Sequence, residues 1–331
     1  MKNLKNLNLP LINAHTHTPM IAFRGLAEDL PVDKWLQENI WPAEQKEVNF
    51  RMVKKESKRA IKEMKKNKVS FFADMYFFQD AVAESTIEEN MPALIGEALI
   101  DFPMPNSKNF EEGLKKTEEL LKKYKNHKLI NVSVAPHSIY TVSRANLIKA
   151  KKLAKRYETI YQIHCSETKK EFDDSLKENK KTPVAYLDSL GILDENTLLS
   201  HCVWLTDKDI QIIKKRKSAV AHCPISNAKL GSGVAPLGKL VKNNIPICLG
   251  TDGAASSNRL DIWEAGKYAA LIQKAVNLDA SIISAKEIIK MMTINPMKFL
   301  KIKKLNGKNL KQWQNEIENK DFSYLYHLNF N

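Results

Sequence analysis

Arginine is scarce in this chain. Seven of the 331 residues are arginine (Arg24, Arg51, Arg59, Arg144, Arg156, Arg216 and Arg259), against 45 lysines. Arginine is the side chain that reads phosphates and bases through paired hydrogen bonds. The lysines stand instead in helical patterns such as RMVKKESKRAIKEMKKNK and FEEGLKKTEELLKKYKNHK, with glutamates interleaved at helical spacing. The net charge of +14 therefore marks solvated helix faces, and no nucleic-acid partner is expected. Paired cysteines are also lacking. Cys165, Cys202, Cys223 and Cys248 form no CxxC and lie in apolar runs, which suits buried thiols in a reducing cytoplasm. No apolar run approaches the ~20 residues needed to span a bilayer. The opening MKNLKNLNLPLINAHTH lacks the apolar stretch and small-residue cleavage site of a signal peptide. A cytoplasmic protein without a membrane partner is expected. With 43% hydrophobic and 27% charged residues, the composition is that of a globular chain able to build a core.

Short β-type runs alternate with long amphipathic helical patterns. The runs are residues 7–13, 69–75, 93–100, 129–135, 159–165, 197–202, 218–223 and 245–251. Helical segments stand between them, among them 50–66, 110–125, 144–157, 207–216 and 261–276. Alternation of this kind implies a parallel sheet. Eight units over most of the chain imply a closed (β/α)8 barrel of the TIM type. An open doubly wound sheet would carry a glycine-rich phosphate turn after the first strand. Here HTHTPM follows it, with no GxGxxG. The barrel is expected over residues 1–300. Residues 301–331 are expected to hold a C-terminal helix and a residual strand, FSYLYHLNF, with nothing obvious to pair with.

The unusual residues fall at strand ends. His15 and His17 close the first strand, His164 the fifth, with Glu167 three residues on, His201 the sixth, His222 the seventh and Asp252 the eighth. In a barrel these ends converge on one face. The period-2 rule points His15 and His17 the same way. Five of the eight histidines stand at strand ends, and a sixth, His137, lies just past the fourth strand. A lone HxH or a lone strand histidine is most often structural. The joint pattern favours a nitrogen-rich site for zinc, with iron or manganese as alternatives.

In order, HTHTPM with RGLAEDLPVDKWL, APHSIYTVS, IHCSET, LSHCVWL, AHCPISNAKLGSGVAP and LGTDGAASSN resemble the amidohydrolase superfamily. They are most similar to the branch of 5-methylthioadenosine/S-adenosylhomocysteine deaminases and related triazine hydrolases. The resemblance covers roughly residues 9–300. It implies one divalent metal held by His15, His17, His164 and Asp252. His201 would touch the attacking water, and Glu167 would be the general acid/base at the ring nitrogen. Asp252 would double as proton acceptor. Glu44, His137 and Trp35 would contact the substrate, Glu44 at the ribose hydroxyls. Strand four offers no lysine, so a mononuclear site is implied. His222 is expected to lie no closer than the ligands' outer surroundings. The implied reaction is hydrolytic deamination of an adenosine-like nucleoside (5′-methylthioadenosine, 5′-deoxyadenosine, adenosine or S-adenosylhomocysteine). The same chemistry on aminodeoxyfutalosine, guanine or a triazine, or an inactive barrel that only binds, are the alternatives. The other zinc deaminase design, HxE followed by PCxxC, does not match Cys223-Pro224. A homo-oligomer is allowed but not specified.

The chain departs from this pattern twice. The accessory β-sandwich that flanks such barrels is expected to be reduced or absent. Relatives that bind S-adenosylhomocysteine place an arginine on strand three, and Glu97 stands at the matching position. Glu97 is therefore expected to face the 5′ end of the substrate and to disfavour a carboxylate there.

Overall fold

The computed structural model describes residues 8–327. Eight parallel strands carry the fold: β1 (Leu11–Thr16), β2 (Val69–Tyr76), β3 (Ala93–Leu99), β4 in two pieces (Ile130–Val132 and Ala135–Pro136), β5 (Tyr161–Cys165), β6 (Thr197–His201), β7 (Ala219–His222) and β8 (Ile247–Leu249). Most strand positions are buried, because helices cover the outer face while side chains fill the interior. That explains why the strands read as apolar runs rather than as alternating patterns.

The ladder runs β1-β2-β3-β4 and β5-β6-β7-β8, with every pair parallel. Two seams close it. Val134 bridges Tyr161, with Val134 N–H on the Ile160 carbonyl at 2.9 Å and Gln162 N–H on the Val134 carbonyl at 3.0 Å. On the other side Asp252 N–H donates to the His15 carbonyl at 3.0 Å. The second seam is tight. A Cβ on Gly250 would sit 2.8 Å from the His15 carbonyl oxygen, so only glycine fits.

The helices explain the lysines. Phe50–Lys66 buries Val53, Ala60, Ile61 and Met64 and turns its lysines outward, where Lys54 pairs with Glu84 at 2.7 Å and Glu88 at 3.0 Å. Asn49 caps its N-terminus by accepting from Met52 N–H. Such exposed pairs contribute little stability. They keep a strongly basic chain locally neutralised.

Three expectations shift. The first strand begins at Leu11 rather than at residue 7, following Pro10, which has no N–H for a ladder; residues 1–7 lie outside the described part. The fourth run is split around Ser133, as given above. The tail expectation is corrected: Ser323–His327 forms a 3₁₀ turn, not a strand, and 328–331 lie outside the described residues. Among the described residues, the strands outside the barrel form an antiparallel hairpin, β9 (Lys304–Leu305) and β10 (Lys308–Asn309). Asn306 and Gly307 turn it with φ of +47° and +83°, the Asn-Gly hairpin signal. Helix Leu310–Glu318 follows, with Trp313 Nε1 donating to the Leu305 carbonyl at 2.9 Å.

Candidate active site and metal centre

The strand ends bring four imidazoles and one carboxylate together at the C-terminal mouth of the barrel. Ring centroids lie 4.9 Å apart for His15–His17, 5.0 Å for His15–His164 and 5.5 Å for His15–His201. Two overlapping donor sets form: His15, His164 and His201; and His15, His17 and Asp252. In each, one donor atom per residue lies within 4.8 Å of the others. All of the ligands expected from the sequence meet here, and His201 joins them.

The outer nitrogens show why the inner ones point into the cluster. His17 Nδ1 donates to the Met75 carbonyl, and His164 Nδ1 to the His137 carbonyl at 2.8 Å. His201 Nδ1 faces Asn227 Oδ1 at 2.8 Å, and His15 Nδ1 faces Ser200 Oγ at 3.0 Å. A proton held on Nδ1 leaves the Nε2 lone pair aimed inward. His15 Nε2 is buried with no hydrogen-bond partner. A cation is what such an orphaned acceptor in a cluster of acceptors fits. Burial also holds His15 and His164 well below the ordinary imidazole pKa, so both are neutral ligands-in-waiting. Burial pulls His17 down too, but its hydrogen bond to Asp252 raises it to about 9. Its Nε2 lies 3.1 Å from Asp252 Oδ1, where a cation would compete with the proton.

Asp252 is tightly framed. Burial pushes its pKa up, but the His17 hydrogen bond and nearby imidazoles outweigh this and hold it well below the carboxylate range. Ser226 Oγ and Ser256 Oγ donate to its Oδ2 at 2.6 and 3.0 Å, and Gly253 N–H donates to Oδ1 at 2.9 Å. The backbone here is strained. Ser166, His201, Cys202 and Asp252 all have φ between +51° and +74° without being glycine. Such residues cost about 1–3 kcal/mol each and cluster at functional sites.

A cleft of ≈ 670 Å³, open mouth included, lies over this centre. Glu167, Glu44, His137 and Trp35 line it together with His17, His164, His201 and Asp252. Most of the rest is apolar, including Met20, Ile40, Trp41 and Ile100. Glu167 is buried, and burial raises its pKa although His201, with Nε2 3.7 Å away, pulls it down. Burial likewise lifts Glu44 to about 7, against the Tyr76 hydroxyl that donates to its Oε1 at 2.7 Å. His137 is pushed down to about 3 by burial; its Nδ1 lies 3.0 Å from Thr141 Oγ1.

One expected residue does not belong. Glu97 is not among the residues lining this cleft. Its carboxylate accepts Phe78 N–H at 3.2 Å, Gln79 N–H at 3.0 Å and the Asn106 side-chain amide. It anchors the start of helix Gln79–Glu88, so the expectation that it faces a substrate is corrected. His222 is buried at the end of β7, outside both donor sets and outside the cleft lining. Reading the sequence missed Ser200, Ser226, Asn227 and Ser256. Three of them lie in SNAKL and AASSN, short helical turns after β7 and β8 whose composition carries no periodic signal.

The family model for the amidohydrolase family matches residues 10–308. A 5-methylthioadenosine/S-adenosylhomocysteine deaminase of Thermodesulfovibrio yellowstonii is 42% identical over 296 residues, 89% of this chain and 67% of that protein. A 5′-deoxyadenosine deaminase of Methanothrix thermoacetophila is 40% identical over 288 residues, 87% of this chain and 68% of that protein. The solved structure of an adenosine deaminase from Xanthomonas campestris with bound zinc superposes with a TM-score of 0.90 at 32% identity, covering 96% of this chain and 75% of that one. A triazine hydrolase structure at 17% identity and a TM-score of 0.85 shares the fold. Barrel, strand-end histidines and relatives agree: this chain belongs to the amidohydrolase family, the metal-dependent hydrolases built on a (β/α)8 barrel.

Proposed function

We propose that the chain is a metal-dependent hydrolytic deaminase of adenosine-like nucleosides, releasing ammonia and the inosine analogue. The observation that carries this reading is Glu167, a buried carboxyl with a raised pKa, opening into an apolar cleft beside four imidazoles and Asp252. Relatives named for deamination of methylthioadenosine and deoxyadenosine support it.

His15, His17, His164 and Asp252 would hold one divalent ion, and zinc suits this imidazole-rich donor set. When bound, such an ion lowers the pKa of a water from 15.7 to about 7. The protein's own groups do the rest. Asp252, ionised and fixed by two serine hydroxyls, receives the proton of the attacking water. His201, with its outer nitrogen engaged by Asn227, directs Nε2 at the oxygen that attacks C6. Glu167, its pKa raised by burial, donates to the neighbouring ring nitrogen, regains the proton that Asp252 took from the water and passes it to the leaving amine; the C6 hydroxyl proton then restores Glu167 as the C–O double bond forms and ammonia departs. Glu44 keeps one oxygen on Tyr76 and offers the other to the ribose hydroxyls. Trp35 and His137 shape the ring pocket.

No described helix is long and apolar enough to cross a membrane. We place the protein in the cytoplasm, a reading supported by four buried, unpaired thiols. The test of the whole reading is ammonia release by the zinc-loaded protein from 5′-methylthioadenosine, 5′-deoxyadenosine, adenosine, S-adenosylhomocysteine, guanine and a triazine. Release from none of the adenosine-like compounds would end it.

A further inference from the structure

The segment that presents Glu167 is short. β5 ends at Cys165, and helix Lys169–Asn179 begins four residues later with Thr168 as its N-cap. Thr168 Oγ1 accepts Glu171 N–H at 3.0 Å. Thr168 and Glu171 thus have capping-box spacing, in which the glutamate normally reaches back to the N–H of the cap residue. Here it reaches further. Glu171 Oε1 accepts Ser166 N–H at 2.9 Å and Oε2 accepts Glu167 N–H at 2.8 Å. Ser166 is the left-handed residue of this turn, with φ of +53°. Its carbonyl is pinned from the other side by Val203 N–H at 2.9 Å and Trp204 N–H at 3.0 Å.

The barrel uses the same device once more. Glu97 accepts the N–H groups of Phe78, at φ +54°, and Gln79. In both places a buried glutamate clamps two successive amides at a left-handed, non-glycine residue just after a barrel strand. Only a carboxylate has two acceptor oxygens for two donors in this geometry. At Phe78 the clamp starts a helix. At Ser166 it fixes the peptide from which Glu167 enters the cleft.

We infer that Glu171 is a positioning residue, setting the placement of Glu167 over the substrate ring through the amides of Ser166 and Glu167. The inference rests on the proposed role of Glu167. A displacement of about 1 Å at a reacting group can cost on the order of 10²-fold in rate. Glu171→Gln offers one acceptor and turns an NH₂ at the second amide.

The experiment uses the zinc-loaded full chain with Glu171→Gln, Glu171→Asp, Glu167→Gln and the double variant Glu167→Gln/Glu171→Gln. Ammonia release from 5′-methylthioadenosine, metal content and amide hydrogen exchange at Ser166 and Glu167 are measured. The expected result is a kcat lower by about 10²-fold with KM and metal content close to wild type. Exchange at the two amides should rise. The Glu171 change should add almost nothing on the Glu167→Gln background, because both act through one group. Losses that multiply in the double variant would overturn the inference, as would unchanged kcat or unchanged exchange. If Glu171→Gln does not fold, the aspartate variant, too short to reach both amides, carries the same readouts. If the wild type releases no ammonia, the proposed function falls. The exchange data then decide separately whether Glu171 holds this turn.

Discussion

Glu167→Gln removes a proton and little else. The residue is 8% exposed, and His201 Nε2 lies 3.7 Å from its carboxylate. An amide of nearly the same shape fits that space. It cannot donate to a ring nitrogen and be recharged. A general acid/base contributes about 10²–10⁴-fold, and this one serves twice, at the ring and at the leaving amine. The expected loss in kcat is therefore about 10³–10⁴-fold, followed through the change in adenine absorbance, with metal content unchanged. Stability moves the other way. Burial raises the Glu167 pKa in the folded chain. A group with a raised folded pKa stabilises fully below its unfolded value, about 4.3, and loses that contribution as pH rises through the folded value. Glutamine has no such loss. The Tm of the metal-free variant should match wild type near about pH 4 and exceed it as pH rises above the unfolded carboxyl pKa. Turnover within tenfold of wild type would assign the proton transfer to another group and refute the reasoning.

Chelation should abolish activity and lower Tm, and zinc should restore both; a ligand at 100 times its Kd adds about 2.7 kcal/mol. Activity that survives exhaustive chelation sinks the metal reading. Asn227→Leu, which removes the acceptor on His201 Nδ1, should cost about 10–100-fold in activity; wild-type rates would show that this hydrogen bond does not orient the ring. His222→Asn should purify with the wild-type metal content, since His222 lies outside both donor sets; metal loss measured by atomic emission would count against this ligand assignment. The cleft is lined by Glu44, Glu167 and Asp252 and by no lysine or arginine among the described residues. S-adenosylhomocysteine should therefore trail 5′-methylthioadenosine by about tenfold in kcat/KM, or about 1.4 kcal/mol. Equal values would show that its carboxylate finds a partner elsewhere.

The parts of this molecule governed by periodicity were open to reading. Helices Phe50–Lys66 and Asp207–Arg216 fall on the expected residues, because a long amphipathic stripe with caps leaves little choice of boundary. The cluster of strand-end imidazoles was readable for a different reason. Histidine is rare in this chain, and its placement at successive strand ends is informative once the strands are known. Glu97 failed the same reasoning. It too stands near a strand end, but its partners, Phe78, Gln79 and Asn106, come from two loops whose approach no spacing in the sequence records.

That failure shows where the unreadable half of the site lies. Ser166, His201 and Asp252 adopt left-handed backbone without glycine, a choice local propensity opposes. Their conformations persist because polar groups from elsewhere over-determine them: Glu171 on Ser166, Asn227 on the His201 ring, Ser226 and Ser256 on Asp252. Each helper is a common polar residue in the first turns of a helix that follows a strand, and none carries a periodic signal. Only Glu171 left a local trace, the capping-box spacing from Thr168. The proposed reacting groups are thus legible through rarity and position. The groups that aim them become legible only when the barrel has set the helices after its strands against those strand ends.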